Sequence, residues 1–449
     1  MKSDRKILAT NGAWSLVNQL ARVGTLAIVM IALSRHFGPE RFGALAFGLA
    51  FVRIFAVVAG CGLERVIVRQ FVETPEDAGV TLRKTFSLKL QLGAATYGCL
   101  LLLAFAIAPQ NPLTIAIIGI AGGSLIFQAF DVYDYFFQAG NQFRLVFCGR
   151  TLPLIFTTGL KLFFVFANAP LLVFAALETF EAALISFVLF SVHRATRLPA
   201  NSTPGPAIVD RRAWLRAGFP LLIGSLAVML YMRSDILILG RLAGFGVAGI
   251  YSAAAQVTEG CALFPMAFMP ALFPMLVRWR RRGIVFYRGK FEKLFLFSVI
   301  AGLAVALCLT NGAPLLVRLI YGAAYASAAP ILIVHAWSAI FIYLSILQSG
   351  YDITENLTWI AAIRTAAGAT LNIALNFAFI PRWGAIGSAA ATLISQACSS
   401  FLFNFAHPRT RPIFWMQVRA LLLLPLVRPA IRFLRPGVVQ LASPGSVSR

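Results

Sequence analysis

Arg22, Arg53 and Lys161 each fall near the middle of an apolar run long enough to cross a bilayer, and Arg233 and Arg364 fall nearer the ends of two others. A cation near the bilayer centre costs at least about 2.5–3.5 kcal/mol on insertion scales, so charges in such places mark solute pathways. Arginine there offers a planar fork that grips phosphate or diphosphate through paired hydrogen bonds, and lysine offers a point charge. More cations are present than a neutral solute needs, which points to an anionic one. Asn11, Ser15, Asn18, Arg22 and Thr25 lie within about 80° of one another on a helix that turns 100° per residue, so Asn18 and Arg22 share a polar stripe. Glu178 and Glu181, three apart, share a helix face, as do Ser252, Gln256 and Glu259. Two uses are open to these acids: binding a proton or sodium ion that couples transport, or simply balancing Lys161. Arg233 and Asp235 stand about 200° apart on their helix and cannot face one another. The purely structural reading pairs the buried cations with Glu178, Glu181, Asp235 or Glu259.

These residues need helices to position them, and the apolar pattern supplies twelve. The spans run approximately over 11–33, 44–62, 86–107, 113–130, 151–167, 170–190, 217–239, 249–277, 294–313, 330–349, 360–379 and 385–405. With the N-terminus inside, the inner segments carry 28 Lys and Arg and the outer loops 5, which places both termini in the cytoplasm. The turn Arg35-His36-Phe37-Gly38-Pro39-Glu40-Arg41-Phe42-Gly43 has the spacing Arg, two residues, Gly, four residues, Gly, and Arg241, Gly244 and Gly249 repeat it 206 residues later. Two copies at one offset, each joining two apolar runs, indicate two similar halves. The stretch Pro199-Ala200-Asn201-Ser202-Thr203-Pro204-Gly205-Pro206 has a linker's composition. It divides the chain into a six-helix bundle over 1–198, a cytoplasmic linker over 199–210 and a second bundle over 211–406. Both halves start inside, so they should be related by an axis along the membrane normal. Residues 407–449, with Ile413–Val427 too short and too interrupted to span, read as an interfacial helix followed by a disordered end. Pro265, Pro270 and Pro274 predict a bend in the eighth span.

Composition narrows the class. The 449 residues are 59% hydrophobic and 12% charged, about half the charge of a soluble domain, with a mean hydropathy of +0.81. A water-soluble core cannot hide that much apolar surface, so the chain is an integral, all-α membrane protein. The net charge of +23 sits in short loops beside the spans, above all from Arg278 to Lys293, where it suits an anionic inner leaflet better than nucleic acid. The six cysteines show no metal or disulfide spacing and read as packing. No P-loop, zinc-binding helix or dinucleotide fingerprint occurs, so neither cofactor nor metal is expected. The outer loops leave no room for the catalytic domain that sugar-joining membrane enzymes generally carry. Transport is the leading class and catalysis is not expected.

Several stretches resemble the polysaccharide repeat-unit flippases of the multidrug/oligosaccharidyl-lipid/polysaccharide exporter superfamily. They are Arg35–Gly43, Tyr135-Phe136-Phe137-Gln138-Ala139, Tyr321-Gly322-Ala323-Ala324-Tyr325, and above all Leu371-Asn372-Ile373-Ala374-Leu375-Asn376 followed by Ile380-Pro381-Arg382-Trp383-Gly384-Ala385-Ile386-Gly387-Ser388-Ala389-Ala390-Ala391-Thr392. The resemblance implies a V-shaped pair of six-helix bundles around a central cavity and alternating access. It also implies, as substrate, an undecaprenyl-diphosphate-linked oligosaccharide of O-antigen, capsule or exopolysaccharide assembly, flipped across a bacterial inner membrane. Basic cavity residues are common among such proteins, and Arg22 and Arg53 fit that role here. Membrane lipids, and other glycan-assembly membrane proteins, are the implied partners. A drug/cation antiporter of the same superfamily would want acids in the cavity, and a polytopic sugar polymerase would want larger outer loops. A scaffold for a glycan-assembly complex is not excluded by the cavity charges.

Overall fold

A computed structural model describes residues 2–107, 111–196 and 211–423, with side chains from residue 24 onward apart from 270 and 271. Every element among the described residues is helical. Eight stretches are long and apolar enough to cross a membrane, and two bent helix pairs, one of them Ala328–Ala336 with Ser338–Thr354 at 43°, bring the number to ten. Two of the eight are themselves fold-backs. Gly38, at φ 70°, interrupts the helix Lys2–Gly60, and Leu26 and Arg53 line one cavity, which two points about 40 Å apart on a straight helix could not do. Gly384, at φ 55°, interrupts Thr358–Ser400. Across it, Asn376 pairs with Ser388, and Asn372 with Thr392 and Ser395, as only an antiparallel hairpin allows. Divided at these glycines, the described chain has the twelve spans that the apolar pattern predicts.

The repeat at 206-residue spacing is visible in the backbone. Gly38 (φ 70°, ψ 176°) and Gly244 (φ 93°, ψ 163°) adopt the same turn, one that an L-residue enters only under strain. The turns also bring the two halves together. A Cβ on Gly43 would lie 1.8 Å from the Phe245 carbonyl oxygen, and one on Gly249 would lie 2.1 Å from that of Pro39. Only glycine permits this backbone-to-backbone approach. Beside it Arg35 donates to the Leu319 carbonyl, and the Tyr325 hydroxyl donates to Ser34 O at 3.1 Å. At the far end of the 39–60 helix a second contact forms, where a Cβ on Gly62 would lie 2.3 Å from Gly218 O. The helix 39–60 thus touches the second half at both of its ends.

The eighth span consists of Phe245–Met269 and Leu272–Arg281, inclined by 50° to one another. A bend is what prolines in this span predict, since a proline inside a helix removes one backbone hydrogen bond and clashes with the preceding turn. The fourth span, Pro112–Ala139, is less regular than its composition suggests, passing through a 3₁₀ turn at Gln128–Phe130. Carbonyls freed in an apolar medium need donors. Thr179 supplies one to Ile120 O at 2.5 Å, and Ser186 another to Phe127 O at 3.1 Å. Between the second and third spans, Leu63–Glu73 buries Leu63, Ile67 and Phe71 on one stripe and leaves its charges outside.

The linker Pro199–Pro206 and the residues from 424 on lie outside the described residues. The described part of the tail is more tightly held than the sequence suggests. Helix Arg411–Leu421 buries Ile413, Met416, Gln417 and Ala420 against the second half. Its Gln417 amide donates to Ser400 O at 3.1 Å and accepts from Asn404 at 3.0 Å. A buried amide satisfied on both sides fixes the helix in place, beyond what lying on a membrane would require.

Candidate functional site

Between the two glycine contacts lies a small, partly open cavity, with about 50 Å³ in which the centre of a water molecule could sit. Leu26 and Arg53 line it from the first half, and Arg233, Ser252, Gln256 and Glu259 from the second. Arg233 Nη2 stands 3.5 Å from Glu259 Oε2, and the Tyr321 hydroxyl donates to Gln256 Oε1 at 3.3 Å. Glu259 remains 38% exposed, so this pair is not sealed away. Arg53 is half-buried. Two arginines from different halves therefore face one space.

The remaining candidate residues are distributed differently. Lys161 is buried, with Glu178 Oε1 and Glu181 Oε2 each at 2.8 Å, and Thr157 Oγ1 donates to Glu181 at 2.9 Å. The two acids of the sixth span are therefore engaged by the lysine of the fifth. None of the three lines the cavity. Arg364 does not line the cavity. It pairs with Asp352 at 2.8 Å and Asn404 at 2.8 Å, in the polar network that holds helix Arg411–Leu421. Asn18 and Arg22 lie on the first helix, and their side chains are outside the described residues.

Two buried polar clusters are assembled by the fold, and the first gives Asp235 hydroxyl and amide partners in place of the cation that the sequence offers it. Asp235 accepts from the Tyr251 hydroxyl at 2.5 Å, Thr392 Oγ1 at 2.6 Å and Asn376 Nδ2 at 2.7 Å. Ser388 donates to Asn376 at 2.7 Å, and Ser234 to Asn372 at 3.1 Å. The available signal was spacing, since 372/376 and 388/392 are each i,i+4 pairs on the two arms of the Gly384 hairpin and so share a face. These oxygens are the kind that hold a hard cation or a shared proton. The second cluster joins Lys89, Asp131, Asp134 and Arg150 in the first half. Asp131 lies 3.3 Å from Lys89 Nζ and 2.8 Å from Arg150 Nη2, and Lys89 also donates to Tyr135 at 2.9 Å. Lys89 stands inside an apolar run, as Lys161 does, and that position is the signal by which the sequence could have shown it. No group of three or more His, Cys, Asp or Glu placed to hold a metal occurs among the described residues.

A family model described as polysaccharide biosynthesis protein matches residues 8–279, more than half of the chain. The chain belongs to this family. It is similar to "Probable flippase AglR" of Haloferax volcanii, 22% identical over 401 residues that make up 85% of this chain and 80% of that protein. Among solved structures, its fold is that of the lipid II flippase MurJ in an inward closed conformation, with a TM-score of 0.66 at 15% identity over 93% of this chain and 92% of the other. An inward-facing multidrug resistance transporter of the MATE family, within the MOP superfamily, gives a TM-score of 0.66 at 13% identity, with 91% and 95% covered. This member of the polysaccharide biosynthesis family is thus a multi-pass membrane protein with the two-lobed fold of those transporters.

Proposed function

We propose that this transporter flips an oligosaccharide linked to a polyprenyl diphosphate, of the undecaprenyl type, from the inner to the outer leaflet of a bacterial cytoplasmic membrane. Both termini are then cytoplasmic, and the product feeds O-antigen, capsule or exopolysaccharide assembly. The observation that carries the reading is the pair Arg53 and Arg233, contributed by different halves to one cavity that lies between two glycine contacts of those halves. A diphosphate is met there by two guanidinium forks, and separating the halves at either end exposes it to one side of the membrane alone. Family membership supports a glycan substrate, and the name of the Haloferax relative supports a flippase. The cavity as it stands is far too small for an oligosaccharide, so the substrate enters only as the halves part in an alternating-access cycle.

The test uses a deletion strain carrying variants, with membrane protein level and surface glycan measured together. Arg53→Ala should remove surface glycan and trap lipid-linked units in the inner leaflet, with the protein still present. Arg53→Lys, which keeps the charge and loses the fork, should retain part of the activity. Normal glycan from a well-expressed Arg53→Ala/Arg233→Ala protein would sink the proposal.

A further inference from the structure

The stretch Tyr321-Gly322-Ala323-Ala324-Tyr325 of the second half reaches the cavity wall with one tyrosine and the first half with the other. Helix Ile284–Tyr321 stops at Gly322, whose φ of 87° and ψ of 178° repeat the turn of Gly38 at φ 70° and ψ 176°. The last four carbonyls of a helix lack an N–H from the helix itself and take donors from elsewhere. Here each half supplies the other. Tyr325 donates its hydroxyl to Ser34 O at 3.1 Å, four residues before Gly38, and Arg35 donates its guanidinium to Leu319 O, three residues before Gly322. Tyr325 and Ser34 are buried, and Phe42 meets the Tyr325 ring edge to face at 6.3 Å. The two helix ends thus cap one another across the halves, beside the close approach of Gly43 to Phe245. Water replaces both donors once the halves part at this end, so each bond holds the interface modestly and reversibly.

Tyr321 makes the other connection. Its ring lies 5.6 Å from that of Tyr325, and its hydroxyl donates to Oε1 of Gln256, at 3.3 Å, on the cavity wall that also carries Arg233 and Glu259. A side-chain amide has one acceptor end and one donor end. An anion held between Arg53 and Arg233 calls for the donor end of Gln256, and turning Nε2 toward it takes Oε1 away from Tyr321. We infer that the turn Tyr321–Tyr325 couples the cavity to the Gly38 end of the interface. An anion that turns Gln256 frees Tyr321, loosens the turn and withdraws the Tyr325 cap from Ser34. Tyr321 is then a positioning residue for Gln256, and Tyr325 and Arg35 form a latch between the halves. The anion shifts the equilibrium only by as much as it prefers the turned amide. Its identity as a diphosphate rests on the proposed function, whereas the latch itself does not.

The experiment uses the full chain in nanodiscs, free of native cysteines, with spin labels on Leu113→Cys and Arg382→Cys. Both sites are exposed, one in each half, and they border the third-to-fourth and eleventh-to-twelfth connections, on the same side of the membrane as the Gly38 turn. Pulsed EPR reads the ratio of wide to narrow separations, and calorimetry reads binding of inorganic diphosphate. Without ligand, Tyr325→Phe and Arg35→Ala should each raise that ratio about threefold or more. Saturating diphosphate should raise it about tenfold or more when all four residues are native, and less than about threefold in Tyr321→Phe, where Gln256 is already released. Melting curves identify the folded variants. Arg35 is exposed, so its replacement leaves the core untouched. Where Tyr321→Phe does not fold, Gln256→Met, which removes the acceptor, takes its place. An unchanged ratio in Arg35→Ala, or in a folded Tyr325→Phe, would overturn the latch. A full diphosphate response in Tyr321→Phe would overturn the coupling. Diphosphate that binds without widening the separation also overturns the coupling and leaves the diphosphate reading intact. Diphosphate that does not bind sinks that reading, and the coupling with it.

Discussion

At the scale of single residues, the spans hold charges of two kinds. Lys161 meets two carboxylates at 2.8 Å and Arg364 meets Asp352 and Asn404, so their charge is met within the protein. Arg53 and Arg233 border a space between the halves, where Arg233 stands 3.5 Å from the partly exposed Glu259. The distinction is testable at Lys161. Lys161→Met leaves two neighbouring carboxylates without their cation, and breaking a buried pair from one side costs about 3–5 kcal/mol. The variant should therefore melt well below the native protein in detergent. Lys161→Met/Glu178→Gln/Glu181→Gln, which removes all three charges, should recover most of that loss. A triple variant no more stable than the single one would mean that Glu178 serves Arg53 rather than Lys161.

At the scale of elements, the helix 39–60 is the part shared by both halves. It meets the second half through Gly43 and Gly249 at one end and through Gly62 and Gly218 at the other. Any opening of the cavity must break one of these contacts, and backbone packed against backbone leaves no room for a side chain. Gly43→Leu should wedge apart the end that bears the Gly38 turn, and Gly62→Leu the opposite end. Each variant should be folded, trapped open on one side and inactive in glycan export. Overpacking of this kind costs about 1–3 kcal/mol where it cannot be relieved, so a hinged pair of lobes should escape most of it by opening. The check is surface glycan measured at matched membrane protein level. Normal export from a well-expressed Gly43→Leu protein would rule out this contact as a gate.

At the scale of the whole molecule, the asymmetry of basic residues sets a direction in the membrane. With the N-terminus inside, the Arg278–Lys293 segment is cytoplasmic and the Gly38 and Gly244 turns face out. On a background free of the six native cysteines, Arg241→Cys should react with an impermeant thiol reagent added to intact cells. Arg281→Cys should react only after the membrane is opened. Labelling of Arg281→Cys in intact cells would reverse the orientation, and the inner-to-outer direction of flipping with it.

Much of this architecture was legible in the residues alone, because its causes are local. Apolar run length against bilayer thickness yields twelve spans. The repeated Arg–Gly–Gly spacing marks two turns, and Gly38 and Gly244 do adopt one conformation. The prolines of the eighth span announce its bend. Which charges meet could not be read this way, since partners on different helices are set by packing and leave no spacing in the sequence. Glu178 and Glu181 share a face by the i,i+3 rule, but only the placement of the fifth span against the sixth decides that Lys161 lies between them. Asp235 gave less warning still, because its donors come from Tyr251, Asn376 and Thr392 on three other helices. The glycines at 43 and 249 were visible as a repeat, but that they touch is a property of the pseudo-symmetric interface, where each copy of the motif becomes the other's partner.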